Sequence, residues 1–363
     1  MSAPAPQLPA RLRADPPTLA RRLGISVAAV ELARDCEIID LHVDTFIPPR
    51  LWGYRVLSRH RGGPLGRHFF GHLDLPRIRE GGLSGAMWSI TTNPFRPKRD
   101  RWRTFLRNLR KLQQMVHRSQ GAMRIARTHA EYRAARDNHA HAVIPVIQGG
   151  NALEAAPRGA LDIPDNLIAR VTLVHLTNSV YGATSSPHHR LRWSKGLSPQ
   201  GAELVKQLNH QRVFVDLAHI HPKAFWDAVN VHDPSQPLLS THTGVDGARK
   251  HWRNLDDDQL RAIAKSGGTV GVIFATQFLK RRRGPRDANM VVEHMAHIID
   301  TVGEDHVSVG SDFDGAISPP ADLAGGDHYP VLVEKMLMRG WTELRIRKVL
   351  ALNFLRCFEA LRP

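Results

Sequence analysis

A chain of 363 residues, 42% hydrophobic and 23% charged, has ordinary globular composition, outside the disordered, collagen-like and disulfide-rich classes. Its 50 lysines and arginines outnumber 34 acidic residues, for a formal charge of +16. Such a charge speaks to partners and solubility rather than to fold. Only two cysteines are present, Cys36 and Cys357; a disulfide framework is excluded as the source of stability, and a reducing compartment is expected.

The N-terminal stretch is rich in Pro, Ala and Arg and lacks the continuous apolar core of a secretory signal. No apolar run approaches the roughly 20 residues that a spanning helix needs, and the C-terminal EALRP carries no hydrophobic lipid-anchor tail. A cytoplasmic protein without a membrane anchor is expected. Residues 17–34 read as an amphipathic helix, so 1–35 are taken as an N-terminal extension and helix and 36–363 as one domain.

From there, short apolar runs bounded by polar residues or glycine recur as strands. In order they are 37–44 (EIIDLHVD), 83–90 (LSGAMWSI), 141–148 (HAVIPVIQ) and 170–176 (RVTLVHL), then 212–219 (RVFVDLAH), 237–243 (PLLSTHT), 268–274 (GTVGVIF) and 306–314 (HVSVGSDFD). Helical periodicity fills several gaps, at 101–116, 199–210, 256–265 and 290–302, and a last helix spans 329–360 with a break near Gly340. Val/Ile/Leu-rich strands alternating with helices indicate a parallel sheet covered on both faces. Eight such units favour a closed α/β barrel, a single-domain (β/α)8 TIM-type fold, over an open sheet. No GxGxxG opens a helix after the first strand, which weighs against dinucleotide binding.

Two basic runs, 96–111 and 280–286, lack the interleaved aromatics of a nucleic-acid motif; Trp102 and Phe105 have the spacing of a buried helix face. Both runs are taken as solvated surfaces, and no nucleic-acid partner is expected.

Strand after strand ends in a residue that can bind a metal: His42 and Asp44, Gln148, His175, His219, His242 and Asp312. In a barrel these ends converge on one face, where active sites lie. His42 and Asp44 are two apart on a strand, so their side chains point the same way. Imidazole and carboxylate without thiolate suit Zn, Mn, Co or Ni. Such an ion lowers the pKa of a bound water toward ~7 and polarises a carbonyl, so hydrolysis of an amide or ester is the natural reaction class. Asp216 and Asp314 are taken as structural. His60, His68, His72, His188 and His189 fall in loops, with His188 and His189 placed to line the mouth of the site.

Taken together, the motifs resemble those of the membrane (renal-type) dipeptidases, peptidase family M19, a branch of the amidohydrolase-like metal-dependent hydrolases. HVD at 42–44 resembles the HxD that opens that family, HLDLPRIREGGLSGAMWS at 72–89 its second-strand segment, and VTLVH ending at His175 its LTLTH. GLSPQGAELVKQLN with VFVDLAH (196–219), STHTG with HWRNLDD (240–257) and GSDFDG (310–315) follow in the family's order.

The resemblance implies a metallo-dipeptidase. His42 and Asp44 would hold one ion and His219 and His242 a second, with His175 on the oxyanion, Arg253 on the substrate's free carboxylate and Asp312 moving the proton. The family's bridging glutamate lies in a segment IEGG; here it reads IQGG, with Gln148 at that position and Asn151 where a histidine is common. An amide brings neither the charge nor the second oxygen that shields two cations from one another, so the centre is expected to hold one or two divalent ions, most naturally zinc. If it holds one, the ion is expected near His42, Asp44 and Asp312. The partner is then a dipeptide or another small molecule, and a homodimer is left open. Two alternatives stand: a single-metal or silent member of the fold that binds a small molecule, and an amidohydrolase acting on a non-peptide amide, lactone or ester.

Overall fold

The computed structural model describes residues 15–60, 68–187 and 196–363. Nine strands form one sheet: β1 (Ile39–Val43), β2 (Gly85–Thr91), β3 (Met123–Ile125), β4 (His141–Gln148), β5 (Arg170–Thr172), β6 (Phe214–Asp216), β7 (Leu239–Thr243), β8 (Thr269–Val272) and β9 (Val307–Val309). Every pairing is parallel. β1 pairs with both β2 and β9, and β2 pairs with β4, so eight strands close a barrel. The ninth, β3, lies outside the ring on the first half of β4, whose second half pairs with β5.

The runs fold this way because both of their faces are covered: all eight residues of β4 and all five of β1 and β7 are buried. Helices Lys98–Arg118, Pro199–His210, Asp257–Lys265 and Asn289–Val302 return the chain between strands. Side chains start them: Ser198 caps Pro199–His210 through the Gly201 N–H, and Asp256 and Gln259 form a reciprocal capping box. In Lys98–Arg118 the inward face is Phe105, Leu109, Leu112 and Val116, with Trp102 stacked on Phe105 at 5.5 Å.

The single helix expected over 17–34 is two helices, Pro16–Leu23 and Val27–Asp35. Gly24 takes a left-handed φ of 66° and ends the first, and Ser26 caps the second through the Ala29 N–H. The C-terminal segment also divides, into Tyr329–Met338, Glu343–Arg347 and Asn353–Leu361, joined through a π turn at Lys348–Leu352. No helix among the described residues is long and apolar enough to cross a membrane. Cys36 and Cys357 are buried and unpaired.

Pairing continues past the formal strand ends where the chemistry lies. The Asp312 N–H donates to the His42 carbonyl at 3.0 Å, and the Asp44 N–H to the Phe313 carbonyl at 2.8 Å. Gly310 lets the end of β9 lie close to β7: a Cβ there would stand 1.7 Å from the Thr241 carbonyl oxygen.

Candidate metal centre

The ends of β1, β4, β6, β7 and β9 bring His42, Asp44, Gln148, His219, His242 and Asp312 to one face of the barrel, all buried. His42, His242 and Asp312 each offer a donor atom within 4.8 Å of the others. The His42 and His242 rings stack at 3.9 Å, and the Nε2 atoms of His219 and His242 are 2.8 Å apart. His42 Nε2 has no hydrogen-bond partner and lies 3.8 Å from Asp44 Oδ1 and 3.6 Å from Asp312 Oδ1. His219 and Asp312 hold left-handed φ angles of 66° and 63°, a local cost that non-glycine residues bear chiefly at functional sites.

Burial holds all three imidazoles neutral, His219 and His242 well below the ordinary histidine range, and the neutral ring is the form that offers a lone pair. Burial, then the charge of Asp44, pushes Asp312 well above the usual carboxylate range. Asp44 feels the same burial, but the imidazoles beside it, His42 first, offset that burial and hold the carboxyl low. These donors fit one divalent ion, since converging ring nitrogens and two crowded carboxylates are relieved by a cation between them.

They do not fit a pair of ions equally well. Gln148 Oε1 accepts from Thr91 Oγ1 at 2.8 Å, and its Nε2 faces the Nε2 atoms of His219 and His242 at 3.4 and 3.5 Å. An NH2 group thus points at the ring nitrogens of the second half of the site, as expected of an amide that supplies no bridging carboxylate.

The substrate-side residues surround this cluster. Arg253, in the loop after β7, is buried and donates to the His242 carbonyl at 2.6 Å, while its Nε has no partner. Burial lowers its pKa to about 10, so it remains a cation at neutral pH. His175, just beyond β5, packs edge-on to His219 at 4.7 Å. Burial pushes it down to about 4, leaving a neutral ring that can donate an N–H. A cavity of about 420 Å³ lined by Asn151, Glu154, Thr177, Ser179 and Ser198 opens beside the ends of β4 and β5.

The sequence profile of the membrane dipeptidase family, Peptidase family M19, matches residues 27–362. The chain belongs to this family. It is a metal-dependent hydrolase of the dipeptidase type, and its fold is the family's. The structure of dipeptidase AC, an M19 metallopeptidase, superposes with a TM-score of 0.80 at 30% identity, covering 90% of this chain and 99% of that one. A Rhodobacter sphaeroides metallopeptidase, solved with a phosphinate mimic of L-Ala-D-Ala, gives 0.78 at 29% identity with the same coverage. A Klebsiella pneumoniae protein encoded in the pqqA 5′ region is 33% identical over 257 residues, 68% of this chain and 92% of that protein.

Among the other residues singled out in the sequence, Asp314 ties loops together, accepting from the Gly71 and His72 N–H groups and from Thr45 Oγ1 at 2.6 Å. His72 is buried against it; His60 and His68 make hydrogen bonds to Leu73 O and Ser318 Oγ away from the cluster. His188 and His189 lie outside the described residues. Sequence reasoning missed Arg170 and Thr91. Arg170 is fully buried inside the barrel, with one guanidinium nitrogen 2.7 Å from His42 Nδ1 and another 3.0 Å from Asp216 Oδ2. The only signal was a charge within the apolar run RVTLVHL. Asp216, expected to be structural, also accepts from Thr172 Oγ1 at 2.7 Å and Thr241 Oγ1 at 2.8 Å, directly beneath the histidines.

Proposed function

We propose that this M19 chain hydrolyses dipeptides or closely related small amides that carry a free carboxylate. The supporting observation is Arg253: a buried guanidinium with an unpartnered Nε beside His242 and the cluster of metal-binding side chains. Such a cation matches a carboxylate held at a fixed distance from the scissile bond.

In this reading His42, Asp44, His219, His242 and Asp312 would hold a divalent ion, most naturally zinc, with Gln148 a neutral neighbour of the second half. When bound, the ion supplies a Lewis acid that makes water a nucleophile at neutral pH and polarises the carbonyl. His175 donates an N–H to the oxyanion as it develops. Asp312, ionised beside the bound cation, would take the proton of the attacking water and pass it to the leaving amine. Arg253 fixes the substrate's C-terminus. Residues 36–363 form the catalytic barrel and 1–35 an extension. A cytoplasmic location is part of the proposal, in keeping with two unpaired cysteines.

The test compares free and C-terminally amidated dipeptides with the zinc-loaded protein. Free dipeptides should be cleaved and their amides spared. Equal turnover of both would remove the carboxylate from the substrate definition, and turnover of neither would favour a binding protein on the same barrel.

A further inference from the structure

Arg170 is a fully buried charged side chain inside the barrel to which the proposed reaction gives no task. Its guanidinium touches His42 Nδ1 at 2.7 Å, Asp216 Oδ2 at 3.0 Å, the Ile147 carbonyl at 3.4 Å and Thr172 Oγ1. Arginine has five N–H donors and no acceptor. The contact with His42 is therefore an N–H donating to the Nδ1 lone pair. A neutral imidazole that accepts at Nδ1 carries its own proton on Nε2.

His242 is set the other way. Thr241 Oγ1 spends its hydrogen on Asp216 Oδ2 at 2.8 Å, so at 2.9 Å from His242 Nδ1 it can only accept. His242 is thus protonated on Nδ1 and turns its Nε2 lone pair into the site, the arrangement usual for a metal ligand, whose other ring nitrogen donates outward. One carboxylate, Asp216, underlies both settings, through Arg170 for His42 and through Thr241 for His242.

We infer that Arg170 is a positioning residue that fixes His42 as the Nε2–H tautomer, turning an N–H rather than a lone pair toward Asp44 and Asp312, and so weakens cation binding in the His42 half of the centre. His42 Nε2 makes no hydrogen bond; Asp44 Oδ1 and Asp312 Oδ1 stand off at 3.8 and 3.6 Å, so the Arg170 contact at Nδ1 is what sets the ring. A cation at His42 must displace that proton and accept a fixed positive charge behind the ring. The inference rests on the metal-site reading above, but its first test does not require metal.

That test is ¹⁵N NMR of histidine-labelled, metal-free protein, with the His42 signal assigned by its loss in His42→Asn. Wild type should show His42 protonated on Nε2 and His242 on Nδ1. In Arg170→Gln, whose side-chain oxygen can accept, His42 should switch to Nδ1–H; Arg170→Lys, which keeps a donor and the charge, should not switch. Zinc affinity measured by chelator competition should rise about 10- to 100-fold in Arg170→Gln, the scale on which partners of metal-binding histidines act. Wild-type His42 protonated on Nδ1 would overturn the inference, whether or not the variants fold. An unchanged tautomer and affinity in a folded Arg170→Gln would overturn it equally, leaving Arg170 as the counter-ion of Asp216. If neither protein binds zinc, the metal-site reading fails while the wild-type tautomer still decides this one.

Discussion

Replacing Gln148 by glutamate is nearly isosteric, and its consequence can be worked out from one hydroxyl group. Thr91 Oγ1 lies 2.8 Å from Gln148 Oε1 and 3.0 Å from Asp44 Oδ1. A carboxylate at position 148 therefore places a second negative oxygen within about 6 Å of Asp44. At an effective dielectric of about 20, that repulsion is ~3 kcal/mol, or about two pKa units for the new group. Asp312 already feels Asp44 in the same way. The metal-free variant should accordingly be less stable than wild type by up to ~3 kcal/mol at neutral pH, and should regain part of this on acidification. Zinc should reverse the order, because the new carboxylate can share two cations: stoichiometry should rise from about one ion per chain to two, with dipeptidase activity increasing. Denaturant unfolding with and without chelator, together with elemental analysis after dialysis, reads both effects. Equal metal-free stability and an unchanged metal count would refute the reasoning and show that the second half of the site is limited by more than residue 148.

Wild-type protein dialysed against metal-free buffer should retain about one divalent ion per chain; a stable pair by elemental analysis would show that an amide suffices where a bridge was expected. Arg253→Ala should raise KM for free dipeptides roughly 10- to 150-fold, the equivalent of 1.5–3 kcal/mol for a charged hydrogen bond, and Arg253→Lys should recover little of it; an unchanged KM would remove Arg253 from the substrate site. His141, buried between the Trp88 indole N–H at 3.0 Å and the Leu83 carbonyl at 3.0 Å, is pushed down to about 4 by burial. The unfolded chain protonates near 6.5 while the fold resists until about 4, so the contribution is complete above 6.5 and is lost as pH falls through that window. The loss is up to about 3 kcal/mol; unfolding at pH 7 and pH 4.5 should show a smaller drop for His141→Gln than for wild type, and equal drops would count against it.

The eight barrel strands were legible because burial on both faces writes them as continuous apolar runs. β3 was not, since Met123–Ile125 is three residues long, two of them only partly buried, and adds to the outside of the ring. The N-terminal pair of helices was read as one because the break is short: the left-handed φ at Gly24 ends the first and the Ser26 cap starts the second. At the site, the strand-end ligands were visible because each terminates an apolar run, a local signal. Arg170 and Thr91 were invisible for the opposite reason. Their partners, His42 at 128 positions away and Gln148 at 57, meet them only across the closed barrel, and nothing local in RVTLVHL or AMWSIT specifies what a buried polar group will face.

The barrel interior carries fixed positive charge. Arg170 and Arg253 are buried beside Asp44, Asp216 and Asp312, and both guanidinium groups interact electrostatically with Asp216 and Asp312. Desolvating these groups is tolerable only because each cation faces carboxylates. One divalent ion placed among them leaves the cluster modestly positive, a state that an incoming substrate carboxylate at Arg253 neutralises. A second ion would add two more positive charges where Gln148 supplies none in return, with the Arg170 guanidinium held against the back of His42. Gln148 and Arg170 therefore act in the same direction although they sit on different strands: the first withholds the anion that would bridge two metals, and the second stations a cation that resists them. Restoring the charge at position 148 alone should then give a weaker second site than combining Gln148→Glu with Arg170→Gln, and zinc titration of the single and double variants measures that difference. If the double variant binds its second ion no more tightly than Gln148→Glu alone, the two residues act independently and the electrostatic link between them is wrong.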